Sequence, residues 1–167
     1  MRDGDSDIYS INASGGGLQQ LTDDPSIDID PSWSPKGGRI AFASRREGSY
    51  DIWLMNTDGT HLHRVTTSPA DDTRPAWSPL GGQIVFQRVH DGAADVFAVT
   101  LATGEVRRLT NDGAIDGDPS WQPGNRILFS SGRSGNREIW SMRPDGSDEQ
   151  RVLQFRGPDR DPAWSPR

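Results

Sequence analysis

The sequence contains no cysteine and a single lysine, Lys36. The lack of cysteine excludes disulfides, thiolate metal ligands and cysteine nucleophiles, but it fits reducing and oxidising compartments equally well. Acidic residues number 24 against 18 basic ones, which gives a net charge of −6 and leaves no basic run. Nucleic-acid binding depends on clustered positive charge, so we expect no nucleic-acid partner.

Long apolar runs are also missing. Only 32% of the residues are hydrophobic, and no window approaches the roughly 18 apolar residues that cross a bilayer. The first ten residues are acidic and contain no apolar segment of a signal peptide. We therefore expect no membrane insertion, and the composition by itself leaves the localisation unknown. The 19 glycines and 12 prolines indicate many short elements joined by turns.

The sequence repeats itself four times. The strings "DPSWSP" (30–35), "RPAWSP" (74–79), "DPSWQP" (118–123) and "DPAWSP" (161–166) place a tryptophan every 44, 44 and 43 residues. A triplet of an acid, a branched aliphatic residue and an aromatic residue keeps the same spacing: Asp7–Tyr9, Asp51–Trp53, Asp95–Phe97 and Glu138–Trp140. A fixed period of this length is typical of repeat architectures, so the repeat governs the fold prediction.

One repeat contains four short runs separated by turn residues. In the first complete unit they are "PSW" (31–33), "RIAFAS" (39–44), "YDIWLMN" (50–56) and "LHRVT" (62–66). β-Branched and aromatic residues bounded by Gly, Pro, Asp and Asn predict strands joined by tight turns. No stretch keeps a 3.6-residue period, so we predict no substantial helix.

The third run is apolar on both faces, because Ile52 and Leu54 alternate with Trp53 and Met55. A strand buried on both sides needs a neighbouring sheet above and below it. Four-stranded antiparallel meanders that are stacked in this way are the blades of a β-propeller. The sequence therefore predicts an all-β fold with about four blades.

The residues of this repeat resemble those of the TolB-type propeller family. The string "DPSWSPKGGRIAFASRREGSYDIWLMNTDGTHLHRVT" is similar to its blade pattern, D-P-x-W-S-P-D-G, then I-A-F-x-S, D-I-W-x-M and L-T. One departure is Lys36-Gly37 in place of the usual Asp-Gly, which affects only a turn. The resemblance implies a six-bladed periplasmic scaffold without enzymatic activity that binds a peptidoglycan-associated lipoprotein and other envelope proteins.

We label the strands of a blade a to d from the propeller axis outward. The repeat then divides residues 1–167 into strands c and d of a split blade (1–22), three blades (23–66, 67–110 and 111–154) and strand a of the split blade (155–167). One hypothesis is that two chains join head to tail as a homodimer and complete an eight-bladed ring. A four-bladed monomer and a fragment of a larger propeller are the alternatives.

An aspartate stands five residues before each repeat tryptophan: Asp28, Asp72, Asp116 and Asp159. In a propeller these positions converge near the central channel. Because converging carboxylates repel one another, a Ca²⁺ or Mg²⁺ ion on the axis is one hypothesis. The alternative is that each aspartate accepts backbone N–H bonds in a turn or pairs with an arginine.

A second set stands three residues before each tryptophan and is predicted to lie at the channel mouth: Asp30, Arg74, Asp118 and Asp161. Our leading hypothesis is a non-enzymatic scaffold that binds a protein or peptide there. A metal-assisted hydrolase or lyase that uses the axial carboxylates is the first alternative. The second is a propeller fragment or engineered repeat array that only self-assembles.

Two further expectations concern side-chain environment. The four repeat tryptophans, Trp33, Trp77, Trp121 and Trp164, are predicted to pack in the core. The arginines of the turns between strands b and c are predicted to be solvated: Arg45, Arg46, Arg133 and Arg137.

Overall fold

The computed structural model describes residues 6–152. Within that range every regular element is a β-strand, as the sequence predicts, and none of the described segments forms a helix that could span a membrane. Asp159, Asp161 and Trp164 lie outside the described residues.

The strands form one hairpin and three four-stranded sheets. The hairpin consists of β1 (Tyr9–Ser10) and β2 (Gln19–Gln20). The first blade consists of β3 (Asp28–Trp33), β4 (Arg39–Glu47), β5 (Ser49–Asn56) and β6 (His63–Arg64). The second consists of β7 (Asp71–Trp77), β8 (Gln83–His90), β9 (Ala93–Thr100) and β10 (Glu105–Arg108). The third consists of β11 (Asp116–Gln122), β12 (Arg126–Ser131), β13 (Glu138–Met142) and β14 (Gln150–Arg151).

Each sheet is an antiparallel meander in which consecutive strands are neighbours. This confirms the predicted blade topology. The first strand of a blade packs on the blade before it: β7 contacts β3, β4 and β5, and β11 contacts β7, β8 and β9. The inner strands β3, β7 and β11 therefore follow one another along one edge of the stack, which we call the inner edge.

The hydrophobic core lies between the blades. Ile52 and Leu54 pack on the second blade, whereas Trp53 and Met55 point the other way, into a cluster with Ile8 of the hairpin segment. All four side chains of this β5 segment are buried, with at most 9% of their surface exposed. The prediction that the third strand is buried on both faces is therefore confirmed. A blade has no separate core of its own, so its stability depends on its neighbours.

The short outer strands are held by side chains as well as by the sheet. In the first blade Ile52 N–H donates to Thr66 Oγ1 at 2.9 Å, and the Arg64 guanidinium lies 2.6 Å from the buried Asp51 carboxylate. Equivalent ion pairs join Asp95 to Arg108 and Glu138 to Arg151. In the hairpin the residue equivalent to these arginines is Gln20, and its side-chain amide donates a hydrogen bond to the Asp7 carboxylate.

The tryptophan expectation is wrong for Trp33. Trp77 is buried, with 6% of its surface exposed, and its Nε1–H donates to the Ser32 carbonyl of the preceding inner strand at 3.0 Å. Trp121 is half-buried, but Trp33 is 56% exposed. The physical reason is that, within residues 6–152, no inner strand precedes β3 and covers its indole ring.

Candidate functional site

Each inner strand contains a β-bulge occupied by a charged residue in the left-handed backbone region. The residues are Asp30, Arg74 and Asp118, with φ angles of 54°, 55° and 52°. The register with the second strand shifts at this point in all three blades, just before Ser32, Ala76 and Ser120. Aspartate adopts this conformation with little strain, but arginine does so at a cost of about 1–2 kcal/mol. Such strain persists only where the surrounding contacts enforce it.

The three charged residues form a continuous row along the inner edge, which we call the inner-strand row. Arg74 N–H donates to Asp30 Oδ2 at 3.1 Å, and the Arg74 guanidinium forms an ion pair with Asp118 in the next blade. Asp118 also accepts a hydrogen bond from Ser130 Oγ at 2.8 Å and lies 3.7 Å from an Arg137 Nη atom. The Asp118 side chain is buried, whereas that of Arg74 is 46% exposed. The structure thus brings together the three described members of the predicted channel-mouth set.

A glycine makes room for this row in the third blade. Asp118 N–H donates to Gln87 Oε1 of the second blade at 3.3 Å, and a Cβ atom on Gly117 would overlap the same amide group. The equivalent positions in the other blades are Ile29 and Thr73. Glycine at residue 117 therefore leaves the space that the Gln87 amide occupies in this contact, and a larger residue would displace that amide.

The second predicted set, Asp28, Asp72 and Asp116, lies at the start of the inner strands. All three carboxylates are buried, with at most 1% of each residue exposed. Each is paired with an arginine of its own blade at the following shortest distances: Arg46–Asp28, 2.9 Å; Arg88–Asp72, 2.6 Å; Arg133–Asp116, 3.2 Å. A buried carboxylate is costly unless it is paired, and the arginines provide that pairing.

The arginines reach the carboxylates from two different positions in the repeat. Arg46 and Arg133 occupy equivalent positions, and their Nε atoms donate to Ser44 and Ser131, which stand two residues earlier. In the second blade Arg88 occupies the serine position itself. The side chains of Arg46 and Arg133 are only 14% and 17% exposed. The expectation that these two residues are solvated is therefore wrong, because each is bound to buried aspartate.

The same arginines lie against aromatic rings of the second and third strands. The Arg88 guanidinium carbon lies 4.5 Å from the Phe97 ring centroid and 5.6 Å from that of Phe86. The equivalent contacts join Arg46 to Phe42 and Trp53, and Arg133 to Phe129 and Trp140. Contact with a ring face stabilises a cation through the ring quadrupole. We call each such unit an Asp–Arg–aromatic cluster.

The electrostatic environment of Asp116 combines burial with several charged neighbours. Burial raises the pKa of Asp116 above its ordinary value of 3.8, although a hydrogen bond from Ser131 and the charge of Arg133 oppose this shift. The neighbouring Asp112 carboxylate, 2.7 Å from Arg133 Nε, adds to the rise in the pKa. The Arg133 guanidinium thus pairs with Asp112 as well as with Asp116. Its positive charge therefore offsets the burial of the Asp116 carboxylate only in part.

The arrangement bears on the cation hypothesis. Within residues 6–152 no group of three or more His, Asp or Glu side chains is placed to hold a metal ion. Asp28, Asp72 and Asp116 each belong to a separate Asp–Arg–aromatic cluster, and Asp159 lies outside the described residues. This geometry favours the arginine-paired alternative, and an axial Ca²⁺ or Mg²⁺ stays a prediction.

Stacked four-stranded meanders whose first strands meet along one edge define a β-propeller architecture. The chain belongs to the TolB β-propeller family, because the model of the TolB beta propeller domain matches residues 1–167. A TolB homolog of Chlorobium chlorochromatii is 39% identical over 44 residues, which are 26% of this chain and 10% of that protein.

Solved structures agree on the fold. The structure of a putative TolB from Agrobacterium tumefaciens matches 92% of this chain with a TM-score of 0.82 and 26% identity. The chain spans 57% of that protein's length. An oligogalacturonate lyase from Vibrio parahaemolyticus also shares the fold, with a TM-score of 0.71 and 15% identity over 92% of this chain and 47% of its own. The fold alone therefore does not separate a binding protein from an enzyme.

Proposed function

We propose that the chain is a non-enzymatic propeller scaffold that binds a protein or peptide at its inner edge, through the inner-strand row. The observation that carries this proposal is the row itself, in which Asp30, Arg74 and Asp118 stand at the same bulge of successive inner strands. By the repeat, Asp161 is the fourth member of the proposed binding set. Membership of the TolB family supports the same proposal and makes the periplasm the compartment that we propose.

The inner-strand row offers contacts that a polypeptide can use. The side chain of Arg74 is 46% exposed, and its guanidinium is a donor of the kind that binds carbonyl and carboxylate oxygens. Asp30 is half-buried and offers carboxylate oxygens to N–H donors. The bond from Arg74 N–H to Asp30 Oδ2 and the ion pair of Arg74 with Asp118 hold these groups in place before a partner arrives, which reduces the entropy that binding costs.

The alternative of a metal-assisted hydrolase or lyase requires carboxylates that are open to a metal ion. The described carboxylates at the proposed axial positions, Asp28, Asp72 and Asp116, are buried and paired with arginine. A metal there would have to displace three guanidinium groups. This favours the binding function over the enzymatic one.

A displayed random peptide library, selected against the immobilised full chain, tests the proposal. We expect selected peptides to bind Arg74→Ala and Asp30→Ala at least about tenfold more weakly, because each change removes a contact of about 1.4 kcal/mol. Glu105→Ala, on the exposed outer strand β10, is the matched control and should leave binding unchanged.

Repeating the binding measurements in Ca²⁺ and in EDTA separates the two functions. Equal affinity in both solutions is expected for the scaffold. Peptides that ignore both inner-edge substitutions, or that bind only with the metal, would contradict the proposal.

A further inference from the structure

A cleft lies between the outer parts of the first and second blades. It has a volume of about 180 Å³ and is lined by β5, β6 and β9, by Arg39 at the start of β4 and by the turn that follows β9. Its floor is apolar, because Leu54 and Val99 belong to the buried core that the two blades share and Val65 and Leu101 pack against that core. Such a floor is suited to an aliphatic side chain.

The turn between the third and fourth strands leaves this cleft open in the second blade. In the first blade the turn lies against the residue that follows the preceding outer strand: a Cβ atom on Gly59 would lie 2.7 Å from the Leu21 carbonyl oxygen. The third blade repeats this close approach. In the second blade the glycine comes one residue later, as Gly104, and a Cβ atom there would meet nothing within 4 Å. Val65, the equivalent of Leu21, therefore lines an open space.

Arg39 lines the cleft and forms no ion pair with any acid of residues 6–152. Its equivalent in the third blade, Arg126, pairs with Asp148 at 2.8 Å. The residue equivalent to Asp148 in the first blade is His61, which has the same φ angle of 56° but offers no carboxylate. The Arg39 guanidinium lies over the Trp77 ring, 5.2 Å from its centroid. The first blade thus keeps the arginine and lacks the acid that neutralises it in the third blade.

The other ionisable side chains of the cleft are basic as well. Arg64 is bound to the buried Asp51 carboxylate at 2.6 Å, so its charge is compensated. His63 contributes an imidazole, and the described lining includes no acidic side chain. The cleft therefore carries the uncompensated charge of Arg39 in a chain whose net charge is −6. It is complementary to a carboxylate that is attached to an apolar group.

We propose that this cleft binds the C-terminal residue of a peptide whose last side chain is aliphatic. The Arg39 guanidinium binds the terminal carboxylate, for which its planar fork of N–H donors is suited, and the side chain packs on Val65 and Leu101. The volume of about 180 Å³ is below the roughly 300 Å³ of a typical small-molecule pocket, so it suits one terminal residue of a larger ligand.

This site is separate from the inner-strand row. Within residues 6–152 its lining belongs to β4, β5, β6, β9 and the segments next to them, and not to the inner strands. The proposal therefore does not depend on peptide binding at the inner edge.

NMR titration of the full ¹⁵N-labelled chain with acetyl-Gly-Gly-Leu tests the proposal. We expect the amide signals of Val65, Leu101 and Gly104 to shift in a saturable manner. The same peptide with a C-terminal amide should bind at least about tenfold more weakly, because it keeps the leucine side chain and loses the charge that Arg39 binds.

Two substitutions test the role of Arg39. Arg39→Gln removes the cation, and His61→Asp supplies the acid that stands at this position in the third blade, so each should weaken binding of the peptide at least about tenfold. Arg45→Gln is the matched control. Arg45 lies on the same strand and over the Tyr50 ring at 4.8 Å, and it forms no ion pair with a described acid, so its replacement should leave binding unchanged.

Octanoate, a free carboxylate with an apolar chain, distinguishes the two sources of this chemistry. If octanoate shifts the same amide signals at a lower concentration than the peptide does, the occupant is a free acid and the proposal is wrong. Cleft signals that do not shift, equal binding of the acid and the amide peptide, or equal losses from Arg39→Gln and Arg45→Gln would also overturn it. Unchanged signals outside the cleft show that each variant is folded.

Discussion

At the scale of single residues, the clearest device is the arginine that neutralises a buried aspartate. Arg88 donates two hydrogen bonds to Asp72, at 2.6 and 2.8 Å, and lies over the Phe97 ring. Lysine keeps the charge but cannot form the two-pronged contact or lie flat on the ring. We therefore expect Arg88→Lys to lower the free energy of unfolding by about 2–3 kcal/mol, measured by urea denaturation.

The control for this prediction is Arg143→Lys. The Arg143 side chain is 63% exposed and lies 3.4 Å from Asp148, so its replacement should change the stability by less than about 0.5 kcal/mol. If both substitutions lowered the free energy of unfolding equally, the prediction would be contradicted. The two hydrogen bonds from Arg88 to Asp72 would then add no stability beyond that of the positive charge.

Asp116 carries a second prediction at this scale. Because burial raises its pKa above 3.8, the folded chain holds this proton more tightly than the unfolded chain does. The stability that Asp116 contributes is therefore present below pH 3.8 and is lost as the pH rises through the folded pKa. A carboxyl NMR titration should find Asp116 protonated at a higher pH than Asp148, whose pKa Arg126 lowers. The opposite order would contradict the prediction.

At the scale of strands, the repeat predicts positions well and lengths less well. The run "PSW" predicts an inner strand at residues 31–33, but β3 begins at Asp28 because pairing continues on both sides of the bulge. The run "LHRVT" predicts five residues, but β6 contains only His63–Arg64. Beyond it the Thr66 side chain accepts the Ile52 N–H. Hydrophobic alternation does not encode bulges or side-chain caps.

The contacts between strands were harder to predict than the strands. When the repeats are aligned, Arg46 is equivalent to His90 and Arg133. Arg88 is equivalent to two serines, Ser44 and Ser131. The common role of the three arginines therefore becomes visible only when their side chains meet the aspartates in space. Arg74 illustrates the same limit, because its ion-pair partner Asp118 lies in the next blade. The spacing of the inner-edge residues was predictable, whereas their pairing was not.

At the scale of the whole molecule, the blades share their cores and should unfold together. Phe86 of the second blade is fully buried in a cluster with Ile52 and Leu54 of the first. Phe86→Ala would remove contacts from both sheets at once. We expect it to lower the free energy of unfolding by about 3–5 kcal/mol, with a single thermal transition retained.

Hydrogen exchange shows whether this loss is transmitted between blades. If the blades unfold as one unit, Phe86→Ala should accelerate exchange at the amides of Ile52 and Leu54 as strongly as at Val96 in its own blade, since every opening event exposes both sheets. If each blade were an independent unit, exchange in the first blade would change far less than in the second. Leu80→Ala, in an exposed turn, should leave both sets of amides unchanged. Coupled exchange is expected because Ile52 and Leu54 have no core except the one that they share with the second blade.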